Sequence, residues 1–212
     1  STTKIITGNA ASLGGAVVFR AISEGEDKFK SDRYRDVHPF IRKMGPVALI
    51  ANAKKRALRD FGMSANGFGS YLTMLGLETL PLRMDRIVGS VETVAKALHE
   101  KGMVINHPSL PHHPHHERYR HLFANGCGTL LTIDLGSKEA AFEFLNRSKL
   151  ITITANIGDS RTLGLHMAST IYRDFDDATR EFLGITPGLV RISIGLESPE
   201  GIIKDFLHAA QI

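Results

Sequence analysis

Apolar residues recur at helical spacing through Leu72, Leu75, Leu82, Ile87, Val91, Val94 and Leu98, which predicts a long amphipathic element from about Gly67 to Lys101. Pro81 falls inside it. With no N–H to donate and a ring that crowds the preceding turn, a proline there should kink or break the helix. Upstream, residues 12–19 form an apolar run carrying two glycines and read as a buried strand. Polar sequence then extends from Arg20 to about Pro46. Its densest part, "SEGEDKFKSDRYRD" at 23–36, predicts a solvated excursion, with disorder as the alternative. Ala51 to Phe61 reads as a helix, with Gly62 placed as its C-terminal cap.

Beyond residue 101 the pattern alternates. A strand at 102–106 leads into a Pro/His loop and a short helix near 117–123; a strand at 128–135 feeds a helix at 138–147 capped by Ser137. Strands near 150–154 and 163–166 precede a helix at 175–183 ended by Gly184. A strand at 189–195 comes before a last helix, opened by Ser198, Pro199 and Glu200. Strands interleaved with helices predict a layered α/β domain.

Composition narrows the function classes. The 212 residues are 42% hydrophobic and 23% charged, as in a globular protein. A net charge of +4 is mild, and the basic run Lys54-Lys55-Arg56 reads as the solvated face of a helix, so neither points to a nucleic-acid partner. No apolar stretch approaches the roughly 20 residues that span a bilayer. The single cysteine, Cys127, excludes an internal disulfide framework and fits a reducing cytoplasm; flanked by Gly126 and Gly128, it reads as a small buried residue.

The richest chemistry lies at the start of the chain. In Ser1-Thr2-Thr3-Lys4 an amine able to form a Schiff base with a carbonyl sits among hydroxyls able to bond a phosphate, and Gly8, Gly14 and Gly15 follow. Pyridoxal phosphate chemistry needs such an arrangement, because the protein's task is to hold the cofactor ring and its phosphate.

Five segments extend this reading: "STTKIITGNAASLGGAVVF" at 1–19, "GLETLPLRM" at 76–84, "NHPSLPHHPHH" at 106–116, "ANIGDSRTLGLHMAST" at 155–170 and "TPGLVRISIGLE" at 186–197. Together, and in this order, they resemble the second half of the pyridoxal-phosphate-dependent enzymes of cysteine and methionine metabolism. The O-acetylhomoserine sulfhydrylase subgroup is the best match. The resemblance implies an α/β fold of the aspartate-aminotransferase type (fold type I). Residues 1–85 would supply the end of the large cofactor domain, and 86–212 the small C-terminal domain. It also implies that the chain is the C-terminal half of a longer polypeptide and incomplete as an enzyme by itself.

By the same resemblance the cofactor is pyridoxal 5'-phosphate, attached through Lys4, with Ser1 and Thr3 as phosphate ligands. Lys4 would also move protons at the substrate carbons. Arg191, a guanidinium in the alternating strand "LVRISIG", matches the residue that holds the substrate α-carboxylate, for which a planar fork is suited. A structural ion pair with Glu197 is the alternative. Asn156 falls where related lyases and synthases place a serine that contacts the same carboxylate, and "NIGD" is nearer the sulfhydrylase version.

The implied activity is γ-replacement: O-acetyl-L-homoserine plus sulfide or a thiol gives homocysteine or a relative, plus acetate, in methionine biosynthesis. A cystathionine γ-synthase or methionine γ-lyase activity is the alternative within the family, and a non-catalytic binding or assembly module the alternative outside it. The family's partners would be further copies of the chain, in a cytoplasmic homotetramer with active sites at dimer interfaces, and no nucleic acid or membrane. Glu78 and Arg83 in "GLETLPLR" read as fixing the domain junction. The histidines 107, 112, 113, 115 and 116 could bind zinc or nickel, but Pro108, Pro111 and Pro114 stiffen the chain between them, so the loop reads as structural and no metal is expected.

Overall fold

A computed structural model describes residues 1–22, 31–126 and 128–212. By their own contacts these group into two compact units, one of residues 1–13 and 71–212, the other of residues 14–70.

The larger unit is built on a five-stranded mixed sheet: β1 (Val104–Asn106), β2 (Leu130–Asp134), β3 (Thr152–Ile153), β4 (Leu163–His166) and β5 (Leu189–Ser193), in the order β1-β2-β5-β4-β3. β5 lies antiparallel to both β2 and β4, with Arg191 opposite Thr132 on one side and Leu165 on the other. β3 runs parallel to β4 at one edge. Along β5 the fully buried Val190 and Ile192 flank Arg191, which is only partly buried. Alternation across a strand therefore sends Arg191 to the face opposite the core.

The core joins Ile105, Leu131, Ile133, Val190 and Ile192 of the sheet to α4 (Leu80–Glu100), α6 (Lys138–Arg147) and α8 (Pro199–Ala210). α4 contributes Ile87, Val91, Val94, Ala95 and Leu98, the stripe its periodicity predicts. Pro81 does break the long element. α3 (Gly67–Glu78) stops, Thr79 intervenes, and Pro81 sits in the first turn of α4, where a missing N–H costs nothing. Past the end of α4, Gly102 at φ +87° lets the chain turn back so that Met103 N–H bonds Leu98 O at 3.1 Å. Leu75 and Leu82 follow the helical spacing yet stay exposed.

Capping is as local as the sequence suggests. Ser137 Oγ accepts from Ala140 N at 3.2 Å and opens α6, Ser198 Oγ accepts from Gly201 N at 3.0 Å and opens α8, and Gly184 at φ +69° follows α7 (Asp177–Phe182). Replacing Ser137 with alanine should lower stability by about 1 kcal/mol, the usual worth of a lost N-cap, read as a shift in denaturant midpoint without a change in slope. α5 (His116–Leu122) follows the Pro/His loop, as predicted.

The smaller unit holds α1 (His38–Met44) and α2 (Ala48–Ala53), the latter running on through a π-helical turn at Lys54–Arg59, with Gly62 at φ +66° beyond it. Its small core gathers Ile22, Val37 and Ala48. The buried strand expected at 12–19 is absent. The run is irregular, with Leu13 90%, Val17 77% and Val18 92% exposed. Among the described residues every paired strand lies between 104 and 193, so this segment finds no ladder, and an unpaired apolar run cannot hold itself as a strand. The charged excursion is described only in part. Residues 31–46 form short helical turns rather than unstructured chain, while 23–30 and Cys127 lie outside the described residues. No helix among those described is long and apolar enough to cross a membrane.

Candidate active site

Residues 2–8 fold into a tight hydrogen-bonded turn. Thr2 O accepts from Thr7 N at 3.0 Å and from Thr7 Oγ1 at 2.6 Å, and Lys4 O accepts from Gly8 N at 2.8 Å. Thr3 and Thr7 are buried in it, Lys4 is partly buried, and Ser1 is exposed. Gly8 adopts φ +81°, a left-handed backbone that favours glycine.

A second loop, 155–161, lies directly against this turn. Ser160 N donates to Gly8 O at 2.7 Å, and a side chain at Gly158 would collide with Ile5, 2.4 Å from its Cγ1. The approach aligns the amine of Lys4 with the side-chain oxygen of Asn156, to which it donates a short hydrogen bond. Arg191, rising from β5, donates through Nη2 to Ala155 O at 2.9 Å and Asn156 O at 3.4 Å. Lys4, Asn156 and Arg191, spread over most of the chain, thus meet around one loop. Among the described residues, Nε and Nη1 of Arg191 have no hydrogen-bond partner, leaving donors for a carboxylate. Burial pushes its guanidinium below the usual value, partly offset by Tyr172.

The ion pair with Glu197 does not form. Glu197 instead accepts from Thr162 N and Thr162 Oγ1, each at 2.8 Å, because Thr162 closes the second loop beside it. Asp159 shapes the same loop. Its buried carboxylate accepts from Arg161 N and Nε at 3.0 Å and from Nη2 at 3.1 Å. Burial alone would raise the Asp159 carboxyl, but the hydrogen bonds and charge of Arg161 prevail and hold it below its usual value. A lowered carboxyl stabilises the fold fully above its unfolded value of about 3.9, and that contribution fades as pH falls through the folded value. Asp159→Asn should therefore flatten the loss of stability below about pH 4, measured by thermal unfolding across pH.

The histidine loop is pinned by its own contacts. His107 Nδ1 bonds Ser109 Oγ at 2.7 Å, His116 Nδ1 bonds Pro108 O at 3.0 Å, and His112 stacks on His99 with ring centroids 4.3 Å apart. Among the described residues no three histidine, cysteine or acidic side chains converge in a way that could hold a metal ion.

Residues 1–211 match the model of the family described as "Cys/Met metabolism PLP-dependent enzyme". The chain belongs to that family. Among curated relatives, it is 36% identical to O-acetyl-L-homoserine sulfhydrylase 1 of Thermus thermophilus, over 99% of this chain and 52% of that protein. It is 32% identical to the homocysteine synthase of Schizosaccharomyces pombe, over 100% of this chain and 52% of that one. A Campylobacter jejuni structure assigned as an O-acetylhomoserine (thiol)-lyase and containing N'-pyridoxyl-lysine-5'-monophosphate superposes with a TM-score of 0.88 at 27% identity, covering 100% of this chain and 53% of that one. The chain spans about half the length of the curated relatives it matches. The fold is the aspartate-aminotransferase-like α/β architecture the sequence implied.

The sequence reading assigned Arg83 to the domain junction, without its contact to the Lys4 turn. Its guanidinium binds the carbonyls of the Lys4 turn. The glycines at 8 and 76 in the two flanking motifs were the available signal, since each marks a close approach.

Proposed function

We propose that the complete polypeptide carries out pyridoxal-phosphate-dependent γ-replacement, converting O-acetyl-L-homoserine and sulfide or a thiol into homocysteine or a relative, plus acetate. The observation that carries this reading is the meeting of the Lys4 amine, the Asn156 amide and the Arg191 fork around the 155–161 loop. The names of the relatives support the substrate class.

The donor set fits the cofactor: an amine for its carbonyl, hydroxyls of Ser1 and Thr3 beside it for the phosphate, and backbone packed closely enough at Gly8 and Gly158 to fix the amine's position. When bound, pyridoxal phosphate supplies an electron sink for charge developed at the substrate α-carbon. The chain's own residues do the rest. Lys4 anchors the cofactor and, once free, removes and returns protons at Cα and Cβ. The Asn156 oxygen holds that amine in one direction, and its NH2 remains to donate to the substrate carboxylate. Arg191 grips the same carboxylate through its remaining donors, fixing how the Cα–H bond faces the base. A sulfur nucleophile takes the place of acetate at Cγ.

Residues 1–85 and 86–212 are the proposed domain division, which rests on the family resemblance; the break between α3 and α4 lies upstream of it, at Thr79. A cytoplasmic homotetramer with shared active sites is the proposed assembly, resting on family resemblance and, for the compartment, on the single cysteine. Light scattering on the full polypeptide tests the assembly. A cystathionine γ-synthase or methionine γ-lyase activity is the alternative, favoured by the match to a cystathionine γ-lyase of Micromonospora echinospora (TM-score 0.78, 26% identity). Incubation with O-acetyl-L-homoserine and either sulfide or cysteine separates them by product.

Borohydride reduction of the complete, cofactor-loaded protein should leave the pyridoxyl group on the peptide containing Lys4, read by mass spectrometry. Label on another lysine, or none, would remove the cofactor assignment.

A further inference from the structure

We infer that Arg83 is the positioning residue that holds Lys4 ready for the cofactor, acting through the carbonyls that follow Lys4 in the chain; this rests on the function proposed above. The turn at residues 2–8 satisfies the carbonyls of Thr2 and Lys4 from within. The next two carbonyls, those of Ile5 and Ile6, are taken by Arg83. Nη1 donates to Ile5 O at 2.8 Å and Nη2 to Ile6 O at 3.1 Å. Nη2 also donates to Gly76 O at 2.7 Å, and Nε to Thr79 Oγ1 at 3.1 Å. Four of the five guanidinium hydrogens are engaged, and they join the Lys4 turn to the end of α3 and the start of α4.

Two further observations show that the fit is built. At Gly76 a β-carbon would lie 2.5 Å from Ile6 O and 2.7 Å from Thr7 Cα, so the end of α3 touches the turn only because that position is glycine. At Gly8 a β-carbon would lie 2.3 Å from Arg83 Nη1 and 2.5 Å from its Cζ. Among the described residues Arg83 has no carboxylate partner, and all its acceptors are neutral. Its fork is committed to the backbone beside Lys4, where a shift of about 1 Å in the amine costs on the order of a hundredfold in reaction. A lysine at this position has three donors on a tetrahedral centre and cannot span four acceptors in a plane.

The test uses the complete polypeptide, freed of cofactor, with two readouts on Lys4. One is its rate of acetylation in competition with the other lysines, measured by mass spectrometry. The other is borohydride trapping of limiting pyridoxal phosphate on it. Arg83→Ala should raise acetylation of Lys4 about tenfold, as the amine leaves Asn156, and lower trapping about tenfold, the loss expected from charge-assisted hydrogen bonds. Millimolar guanidinium chloride, far below denaturing concentration, should restore both, whereas Arg83→Lys should restore neither. Gly8→Ala, which displaces Arg83 without removing it, should likewise raise acetylation and lower trapping, but without rescue by guanidinium, whose place the new β-carbon takes. Combined with Arg83→Ala it should add less than the product of the separate effects, because the left-handed strain at Gly8 is common to both backgrounds and cancels.

Unchanged Lys4 acetylation in both variants, or multiplicative effects in the double variant, would overturn the inference. If Arg83→Ala does not fold, Arg83→Lys carries the test, with the same rise in acetylation and fall in trapping expected. Failure of wild-type protein to trap cofactor on Lys4 would instead refute the proposed function, and the acetylation readout would still decide the role of Arg83.

Discussion

Lys4→Ala should abolish turnover in the complete protein while leaving it folded. A positioned general acid–base is worth about 10²–10⁴ in rate, and Lys4 is also the proposed covalent anchor, so the loss should reach at least the upper part of that range. The fold has little stake in the side chain. Lys4 lies outside the apolar core, the turn around it is held by Thr2, Thr7 and Gly8, and among the described residues its one side-chain bond goes to Asn156. Thermal unfolding of the variant should therefore follow the wild type closely. Cofactor would still be able to enter, held by its phosphate and ring, but borohydride would no longer fix it to the 1–19 segment. Lys4→Arg should behave like Lys4→Ala in turnover, because a guanidinium neither condenses readily with a carbonyl nor gives up its proton near neutral pH. A Lys4→Ala protein with wild-type turnover would place the chemistry on another residue.

Elements whose causes are local were legible in the sequence. The stripe Ile87, Val91, Val94 and Leu98, the caps at Ser137 and Ser198, and the break at Pro81 each depend on neighbours within a few residues. The run at 12–19 misled because an apolar strand is decided by what lies beside it in space, and the described residues offer it no strand to pair with. Sheet order was equally out of reach: β5, last in sequence, lies at the centre between β2 and β4.

The site divides the same way. Lys4, Asn156 and Arg191 were singled out by resemblance and, for Arg191, by the need of a guanidinium in an apolar strand for a partner. Their meeting depends on a contact across 152 residues that no spacing rule supplies. Arg83 stands 78 residues from the carbonyl it binds, in a motif whose glycine and arginine look like domain-junction chemistry until the turn is placed against them. What the sequence did display was the requirement without its partner: Gly8 and Gly76 stand where a side chain would collide, and only the fold shows with what.

Arg191→Lys should raise KM for the amino-acid substrate while the fixing of cofactor on Lys4 is unchanged. Two demands meet on this one guanidinium. Nη2 supports the carbonyls of Ala155 and Asn156, while Nε and Nη1, on opposite edges of the guanidinium, remain as donors toward the proposed substrate carboxylate. An ammonium can keep the loop contact or turn to the substrate, but its three donors diverge from one atom and cannot reach both at once as the separate nitrogens of a guanidinium can. Loss of a well-made charged pair is worth about 2–4 kcal/mol, which is roughly 30- to 1000-fold in kcat/KM. Most of it should appear in KM, because the carboxylate is held in ground and transition states alike. Arg191→Leu should cost more and behave differently. It removes the prop under Asn156, so the 155–161 loop should loosen, and trapping of cofactor on Lys4 should weaken along with substrate affinity. Hydrogen exchange at the amides of residues 155–161 would register that loosening directly. Wild-type kinetics in Arg191→Lys would take the carboxylate away from Arg191, and a lysine variant that traps cofactor poorly would make the loop, rather than the substrate, its main charge.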